Sequence, residues 1–369
     1  MKKLGFGCMR LPVLSKEDTT TIDLKQMCEM VDTFLDNGFT YFDTAYMYHN
    51  YMSERYVKLA LVDRHPRDSF LLADKLPTMQ LKAQEDVDRI FNEQLEKTGA
   101  GYFDYYLLHC LNVANYEAAE KYDCFHYVMQ KKAEGKIKHV GFSYHDNAEL
   151  LDEILTKHPE VEFVQLQLNY VDWDSDEIQS GKCYDVCVKH GKDVIVMEPV
   201  KGGNLVNIPE EAQKIMKDVN PDASIASWAI RYAASKEHVI MVLSGMSDLA
   251  QLKDNVSYMK DFVPFSKKEE ETVEKVVKII NDTTKVPCTA CRYCVEGCPM
   301  QIAIPEYFAL YNEYFRFGNY DRAKQRYDNL TKDHGKASDC IACGQCEGHC
   351  PQHLSIIKYL AEIAETFEK

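Results

Sequence analysis

Short apolar runs alternate with amphipathic segments from the N-terminus to about residue 262. Each run has the length and apolar character of a parallel strand that is buried on both faces. In the segments between the runs, apolar residues recur at spacings of three and four, as from Leu24 through Met27 to Val31, which is typical of one helix face. Eight such strand and helix units predict the α/β class and a (β/α)8 TIM barrel, with an open doubly wound sheet as the alternative. The predicted strands are Leu4 to Cys8, Thr40 to Asp43, Phe70 to Lys75, Tyr105 to His109, Val140 to Ser143, Phe163 to Asn169, Val194 to Glu198 and Val239 to Ser244.

Polar residues close nearly every predicted strand. In a (β/α)8 barrel the carboxyl ends of all strands meet at one face, which is where such barrels carry their chemistry. The sequence therefore predicts a functional site at that face. The residues that end the strands are Asp43, Lys75, His109, Ser143, Asn169, Glu198 and Ser244.

Two Cys-x2-Cys-x2-Cys-x3-Cys-Pro runs lie between Cys288 and Pro351 and contain eight of the 14 cysteines of the chain. This spacing is that of bacterial ferredoxins, in which three cysteines of one run and the last cysteine of the other bind each 4Fe-4S cluster. The sequence therefore predicts two 4Fe-4S clusters. The first cluster would use Cys288, Cys291, Cys294 and Cys350, and the second would use Cys340, Cys343, Cys346 and Cys298.

Two alternatives to a pair of redox-active clusters stay open. Structural zinc sites with four thiolates also use two-residue spacings, although zinc ribbons place two cysteine pairs far apart. Three cysteines at two-residue intervals with a trailing Cys-Pro, repeated once, favour iron-sulfur clusters over zinc. A purely structural role for the clusters is the second alternative.

The cysteine runs belong to a separate predicted domain. We predict a barrel domain at residues 1–281 and a 4Fe-4S domain at residues 282–369, joined by a polar stretch. Between the two runs, Ile304–Phe317 and Tyr320–Leu330 have helical patterns. The second domain is therefore predicted to be a small helical ferredoxin-like domain rather than a compact β-rich one.

The charge balance bears on partners and location. Asp and Glu total 58 and Lys and Arg total 43, which gives a formal net charge of -15. Because such a chain repels phosphate backbones and anionic lipid headgroups, we expect no nucleic-acid partner and no membrane association. The sequence begins without a signal-peptide pattern, and abundant cysteine without a secretion signal is typical of metal ligation in a reducing compartment. We therefore expect a cytoplasmic protein.

Four residues with ionisable side chains follow one another along the second to fourth predicted strands. Asp43 and Tyr48 lie in Phe-Asp-Thr-Ala-Tyr-Met-Tyr, Lys75 lies in Ala-Asp-Lys-Leu-Pro, and His109 ends the fourth strand. In this order and these motifs, residues 1–262 resemble the aldo-keto reductase superfamily. With the opening Gly-Phe-Gly-Cys-Met-Arg-Leu-Pro and the two cysteine runs, the whole chain resembles its bacterial iron-sulfur subfamily. The resemblance implies that these four residues are catalytic.

The residue types suit the reduction of a carbonyl group. Hydride transfer to a carbonyl builds negative charge on oxygen, which needs a proton donor and oriented polar groups. Tyr48 is the predicted general acid, and we expect the ammonium of Lys75 to lower its pKa. Asp43 would hold that ammonium, and His109 would orient the substrate oxygen. Asp74, beside Lys75, should point away from the site because neighbouring residues of a strand face opposite ways.

The resemblance also implies a nicotinamide cofactor, NAD(P)(H). Ser143 and Gln165 would hold its carboxamide, and Met197 stands where many relatives place a tyrosine against the nicotinamide ring. After the eighth strand, Ser247 would cap the helix that contacts the adenosine end of the cofactor. The basic residues that many relatives place against a 2′-phosphate are missing, so NAD and NADP both stay open. The implied cofactor-binding residues are Ser143, Gln165, Met197, Pro199, Lys201, Gly203, Gly245, Ser247, Gln251 and Asn255.

The sequence thus predicts an oxidoreductase that reduces a small-molecule carbonyl, or oxidises an alcohol, and that is coupled to or structurally supported by two 4Fe-4S clusters. A hydride carries two electrons, whereas each cluster accepts one, so the two halves do not exchange electrons directly. The alternative is a barrel that contains FMN, or one that has lost its catalysis, and that transfers electrons to an external redox partner protein.

Overall fold

A closed barrel of parallel strands forms the N-terminal part of the chain. This computed structural model describes residues 2–15, 18–176, 178–317 and 320–369. Within them, each of eight strands pairs in parallel with the next, and β8 closes the barrel on β1. The predicted (β/α)8 barrel is confirmed. The strands are β1 Leu4–Gly7, β2 Tyr41–Asp43, β3 Leu71–Leu76, β4 Phe103–Leu111, β5 Ile137–Tyr144, β6 Phe163–Gln167, β7 Asp193–Met197 and β8 Val239–Ser244.

Helices follow the strands in chain order and continue through the C-terminal part. The helix at Lys267–Thr283 begins with a capping box, in which the Ser266 hydroxyl accepts from the Glu269 N–H and the Glu269 carboxylate accepts from the Ser266 N–H. The helices are α1 Leu24–Asp36, α2 Tyr48–Tyr51, α3 Ser53–Val57, α4 Glu85–Thr98, α5 Val113–Lys121, α6 Cys124–Ala133, α7 Ala148–Lys157, α8 Ser180–Lys189, α9 Glu210–Val219, α10 Ile225–Ala234, α11 Leu249–Met259, α12 Lys267–Thr283, α13 Ile304–Phe317, α14 Tyr320–Leu330, α15 Gln345–Gly348 and α16 Ile356–Phe367. In the described part of the chain, none of them is both long and apolar enough to cross a bilayer.

A cluster of buried side chains from the strands lies in the barrel interior, and it shows which residues face inward. Because side chains alternate along a strand, a residue two positions after an interior residue also points into the barrel. Gly141 of β5 is part of this arrangement, since a Cβ there would lie 2.5 Å from the Phe163 ring. The interior cluster consists of Tyr41, Ala73, Tyr105, Leu107, Phe163, Ile195, Met241 and Leu243.

The chain forms two compact units that are discontinuous in sequence. The first unit contains residues 1–174, 179–199 and 226–265, and thus all eight strands. The second unit contains residues 175–178, 200–225 and 266–369, and thus α9, α12 and the cysteine runs. The segment that follows β7 in the chain therefore belongs to the same unit as the cysteines.

The second unit has its own apolar core, built by helices. α13 packs on α14 and α16, and its Tyr307 ring lies 4.8 Å from that of Tyr327 in α14. Phe367 of α16 stacks on Tyr327 at 5.5 Å. Both helices predicted between the cysteine runs lie where the sequence placed them, so this unit is helical as expected.

Candidate active site

The four predicted catalytic residues meet at one place in the first unit. Asp43, Lys75 and His109 lie two residues after the interior residues Tyr41, Ala73 and Leu107, so their side chains point into the barrel. The Lys75 ammonium donates to the Asp43 carboxylate at 2.5 Å and to the Thr44 carbonyl at 2.7 Å.

Tyr48 completes this group from the turn that follows β2. Its hydroxyl accepts from the Lys75 ammonium at 3.5 Å, and its ring meets that of His109 edge to face at 6.1 Å. A buried ion pair, a phenol and an imidazole thus converge at the carboxyl ends of β2, β3 and β4.

The predicted lowering of the Tyr48 pKa is wrong. Burial, followed by the charge of Asp43, raises the pKa of Tyr48 well above its usual value. The main physical reason is burial, which disfavours a charged phenolate; in addition, the Asp43 carboxylate, 2.5 Å from the ammonium, offsets the positive charge that was expected to stabilise one. Tyr48 is therefore a neutral phenol that carries its proton.

His109 lies before an irregularity in β4. Pairing of β4 with β5 shifts between Leu108 and Leu111, and Cys110 adopts a φ of +60°. Such bulges re-aim side chains next to functional sites. Two contacts hold this segment: the Thr78 hydroxyl donates to the His109 carbonyl at 2.9 Å, and the Cys110 N–H donates to the Ser143 hydroxyl at 2.7 Å.

The His109 imidazole is electrically neutral. Burial, followed by the charge of Lys75, lowers its pKa well below its usual value. A neutral imidazole keeps one N–H donor and one acceptor nitrogen, and so it can orient a substrate oxygen without adding charge.

A second polar group lies on the outer face of β3 and was not predicted from the sequence. Asp74, which faces away from Lys75 as expected, accepts from the Lys75 N–H at 2.8 Å. Gln94 of α4 donates to the Lys75 carbonyl at 3.0 Å and to the Glu54 carboxylate of α3 at 3.0 Å. Burial, followed by the charge of Glu54, raises the pKa of Asp74 well above its usual value. These residues are positioning residues for Lys75, and only their contact in three dimensions reveals them.

His49, directly after Tyr48, holds the N-terminal segment. Its Nε2 accepts from the Leu11 N–H at 3.1 Å, and its Nδ1 contacts the Thr19 carbonyl at 2.8 Å. Three successive residues after Tyr48 have positive φ angles between 50° and 67°. The backbone here is strained, which is typical of functional sites.

Ser143 and Gln165 present complementary groups at neighbouring positions. They are paired across β5 and β6, and Gln165 lies two residues after the interior residue Phe163. The Gln165 Oε1 is buried and has no hydrogen-bond partner among the described residues. The Ser143 hydroxyl accepts from Cys110 and keeps its own O–H to donate. One donor and one acceptor match the C=O and NH2 of a carboxamide.

Met197 and Pro199 lie at the end of β7. Met197 is two residues after Ile195 and therefore faces the barrel interior, where it is half-buried. Pro199 is buried in the turn beyond it.

The residues after β8 surround the start of α11. The predicted cap by Ser247 is wrong: Asp248 caps this helix, accepting from the Gln251 N–H at 2.8 Å, because α11 begins one residue later, at Leu249. The Ser247 N–H instead donates to the Gln251 side chain at 2.9 Å.

The two other predicted residues after β8 also have defined contacts. Asn255 is buried, and its side-chain amide donates to the Ser244 hydroxyl at 2.8 Å. Gly245 lies against the side chain of Arg10, since a Cβ there would be 3.2 Å from the Arg10 Cβ.

Two of the ten predicted cofactor residues, Lys201 and Gly203, belong to the second unit. The Lys201 side chain is buried, and its ammonium donates to the Gln352 side chain at 3.4 Å. Its φ is +48°, and that of Gly203 is +97°. The structure thus places the Lys201 ammonium beside the second cysteine run.

The eight cysteines of the runs line two cavities in the second unit. The first cavity has a volume of about 290 Å³ and the second of about 330 Å³. Four cysteines line each cavity, three from one run and one from the other. These are the two sets that the ferredoxin pattern predicted. Cys288, Cys291, Cys294 and Cys350 line the first cavity, and Cys298, Cys340, Cys343 and Cys346 line the second.

The two cysteine runs have positive φ angles at the same two positions. Ala290 and Ala342, at the third position of each run, have φ angles of +53° and +55°. Arg292 and Gly344, at the fifth position, have φ angles of +69° and +74°. The Ala290 N–H contacts the Cys288 sulfur at 3.4 Å. Each run therefore winds its first three thiols around one cavity, as thiolate ligands of a 4Fe-4S cluster require.

Comparisons with known proteins agree with both units. Residues 3–278 match the aldo/keto reductase family, and residues 287–355 match a 4Fe-4S dicluster domain. The uncharacterized oxidoreductase YqkF of Bacillus subtilis is 23% identical over 286 residues, which are 69% of this chain and 86% of that protein.

Solved structures of aldo-keto reductases share the fold. AKR11C1 of Bacillus halodurans, in its holo form, is 23% identical with a TM-score of 0.58 and covers 74% of this chain and 91% of its own. An aldo-keto reductase of Klebsiella pneumoniae in complex with NADP and acetate is 19% identical with a TM-score of 0.58, and the coverage is again 74% and 91%. The chain is an oxidoreductase that belongs to the aldo/keto reductase family and carries a C-terminal 4Fe-4S dicluster domain.

Proposed function

We propose that this oxidoreductase reduces a small carbonyl compound, or oxidises the corresponding alcohol, with NAD(P)(H). The observation that carries the proposal is the Lys75 ammonium, held 2.5 Å from the Asp43 carboxylate and 3.5 Å from the Tyr48 hydroxyl. In the proposed reaction, the carbonyl oxygen that gains negative charge binds beside this proton donor and buried cation.

Each residue of the quartet has a proposed role. Tyr48 donates its proton to the substrate oxygen, and its high pKa ensures that the proton is present before the reaction. Lys75 donates a hydrogen bond to the Tyr48 hydroxyl and orients it, while Asp43 holds Lys75 and compensates the charge of its buried ammonium. His109, neutral and edge-on to Tyr48, orients the substrate oxygen.

The nicotinamide cofactor, when bound, supplies the hydride. Ser143 and Gln165 are proposed to bind its carboxamide, because the unpartnered Gln165 oxygen accepts where the Ser143 hydroxyl donates. Met197 would cover the ring with its polarizable thioether. The NADP in the Klebsiella relative supports this choice, and no observation favours FMN. Pro199, Gly245, Ser247, Gln251 and Asn255 remain proposed contacts to the rest of the cofactor.

The clusters are proposed to be held by the four cysteines of each cavity. Cysteine thiolates are the ligands of 4Fe-4S clusters, and four cysteines line each of the two cavities. When bound, the clusters transfer electrons one at a time. We therefore assign the hydride step to the barrel residues, and to the clusters either structural support or one-electron exchange with an external redox partner. Anaerobic addition of a reduced one-electron donor protein distinguishes the two roles: bleaching of the cluster absorbance supports exchange with a redox partner, and clusters that stay oxidised support a structural role.

Replacing Tyr48 with phenylalanine tests the proposal. We expect Tyr48→Phe to lower NADPH-dependent turnover of a carbonyl substrate by about 10²–10⁴-fold, the usual contribution of a positioned proton donor. Cofactor binding, followed by NADPH fluorescence, should persist. Tyr51→Phe is the control, because the Tyr51 hydroxyl accepts an exposed hydrogen bond from the Gln80 side chain at 2.8 Å and takes no part in the quartet. Full turnover in Tyr48→Phe would remove the proposed mechanism.

A further inference from the structure

The segment that follows β7, residues 200–225, belongs to the compact unit that contains the cysteines. The resemblance implied that Lys201 and Gly203 in this segment bind the cofactor. The start of the segment, however, contacts the first cysteine run and Gln352 just after the second run, and its helix α9 packs on α12. This difference raises the question of which group the buried Lys201 ammonium serves.

Three contacts join the start of this segment to the first cavity. The Asn204 side-chain amide donates to the Cys288 carbonyl at 2.7 Å. Gly202 packs so closely on Thr289 that a Cβ would lie 2.2 Å from the Thr289 carbonyl oxygen. The Lys201 ammonium donates to Gln352 at 3.4 Å, and Gln352 is part of the cavity wall. All three contacts reach residues that line the first cavity.

The charges around the two cavities differ. Lys201 is 4% exposed and Gln352 is also 4% exposed, so the ammonium is buried one side chain away from the first cavity. Arg292 lines this cavity too and forms an ion pair with Glu306. Among the described residues, the wall of the second cavity contains no Lys, Arg, Asp or Glu.

We propose that Lys201 and Asn204 raise the reduction potential of the cluster held by Cys288, Cys291, Cys294 and Cys350. Reduction adds one electron and no proton to a cluster, so its negative charge grows by one. A buried cation and an amide directed at the ligand backbone stabilise that extra charge, and charge and hydrogen bonding are among the factors that set such potentials. The inference rests on the cluster assignment of the proposed function and is independent of the hydride chemistry.

Lys201 is a positioning residue in this scheme, acting on the cluster through Gln352. The competing role is the one that the resemblance implied, a contact of its ammonium with the cofactor phosphate. The two roles predict different measurements. A cluster role changes a reduction potential, whereas a cofactor role changes the KM for NADPH.

The test is an anaerobic redox titration of the full-length protein with dithionite, followed by electron paramagnetic resonance and visible absorbance. In Lys201→Met we expect one of the two cluster transitions to move to lower potential by about 59 mV, a tenfold change for a one-electron couple. Lys201→Arg keeps the charge and should keep the potential. Cys291→Ser and Cys343→Ser identify which transition belongs to which cluster.

Lys278→Met is the matched control, because it removes the same charge at an exposed position of α12. Asn204→Ala should move the same cluster transition in the same direction. If Lys201→Met fails to retain iron, the redox titration of Asn204→Ala decides the inference in its place. Unchanged potentials in Lys201→Met, or in Asn204→Ala in its place, would overturn the inference. A raised KM for NADPH in Lys201→Met with unchanged potentials would assign Lys201 to the cofactor instead. A wild-type protein that reduces no carbonyl compound would contradict the proposed function. The redox titration would still decide the inference about Lys201, because it does not depend on that activity.

Discussion

Lys75 is held on both faces of its strand. Inside the barrel, its ammonium contacts Asp43 and Tyr48. On the outer face, its N–H donates to Asp74 and its carbonyl accepts from Gln94. Because both main-chain groups are bound by buried side chains, the position of the ammonium depends on residues that never contact a substrate.

Asp74 gives a stability prediction that depends on pH. Its pKa is raised in the folded protein, so the folded state favours the neutral acid. The stability this provides is complete below the unfolded pKa of about 3.9 and is lost as the pH rises through the folded value. Asp74→Asn does not titrate, so we expect its melting temperature to exceed that of the wild type by about 2–4 °C at high pH.

The measurement is thermal unfolding by circular dichroism at about pH 6 and about pH 9, which lie on either side of neutrality. The advantage of Asp74→Asn should grow with pH. Asp68→Asn, at an exposed position, is the control and should show no such trend. An advantage that shrinks with rising pH would refute the assignment of a raised pKa.

Sequence patterns predicted the quartet but not the groups behind it. Asp43, Lys75 and His109 were found because they close apolar strands in a regular order. Glu54 and Gln94 lie on α3 and α4, and no spacing in the sequence shows that these helices bring them to β3. The direction of the Tyr48 pKa was missed because it depends on burial and on the distance between Asp43 and Lys75.

At the scale of elements, all eight strands were predicted, and their ends moved by up to three residues. β4 runs past His109 to Leu111 because a bulge at Cys110 lets pairing continue, and local sequence does not show this irregularity. The helices Ile304–Phe317 and Tyr320–Leu330 were predicted with their bounds, since their apolar positions repeat regularly.

The segment after β7 gives a prediction for one glycine. Gly202 and Gly203 both have positive φ angles, so alanine at either costs roughly 1–2 kcal/mol in backbone strain. Of the two, Gly202 is the one where a Cβ would also collide, at 2.2 Å from the Thr289 carbonyl oxygen, whereas no atom of the described residues lies within 4 Å of a Cβ at Gly203. We expect Gly202→Ala to release iron to a chelator faster than Gly203→Ala does. Equal rates would show that the Thr289 contact does not support the first cluster.

At the scale of the whole molecule, the chain was predicted as two consecutive domains divided at residue 281. That division stays a prediction, and the compact units show in addition that residues 200–225 pack with residues 266–369. α9 and α12 pack on each other within the second unit. Such packing between distant segments leaves no trace in composition or periodicity.

Removing the clusters should therefore affect more than the cysteine runs. Metal ligands stabilise small domains because binding free energy adds to folding free energy. After anaerobic chelation, we expect amide hydrogen exchange to rise in residues 200–225 and 266–369, while the strands β1 to β8 stay protected. A rise confined to residues 288–350 would show that the second unit is stable without its clusters.

The most direct test of the account follows the hydride itself. NADPH deuterated at its transferable position is incubated with the protein and a reducible carbonyl under anaerobic conditions, and the alcohol is examined by mass spectrometry. If the barrel residues carry the chemistry, each product molecule contains one deuterium on the former carbonyl carbon. Alcohol formed without deuterium would mean that electrons reach the substrate by another route, and it would contradict the assignment of the reaction to Tyr48, Lys75, Asp43 and His109.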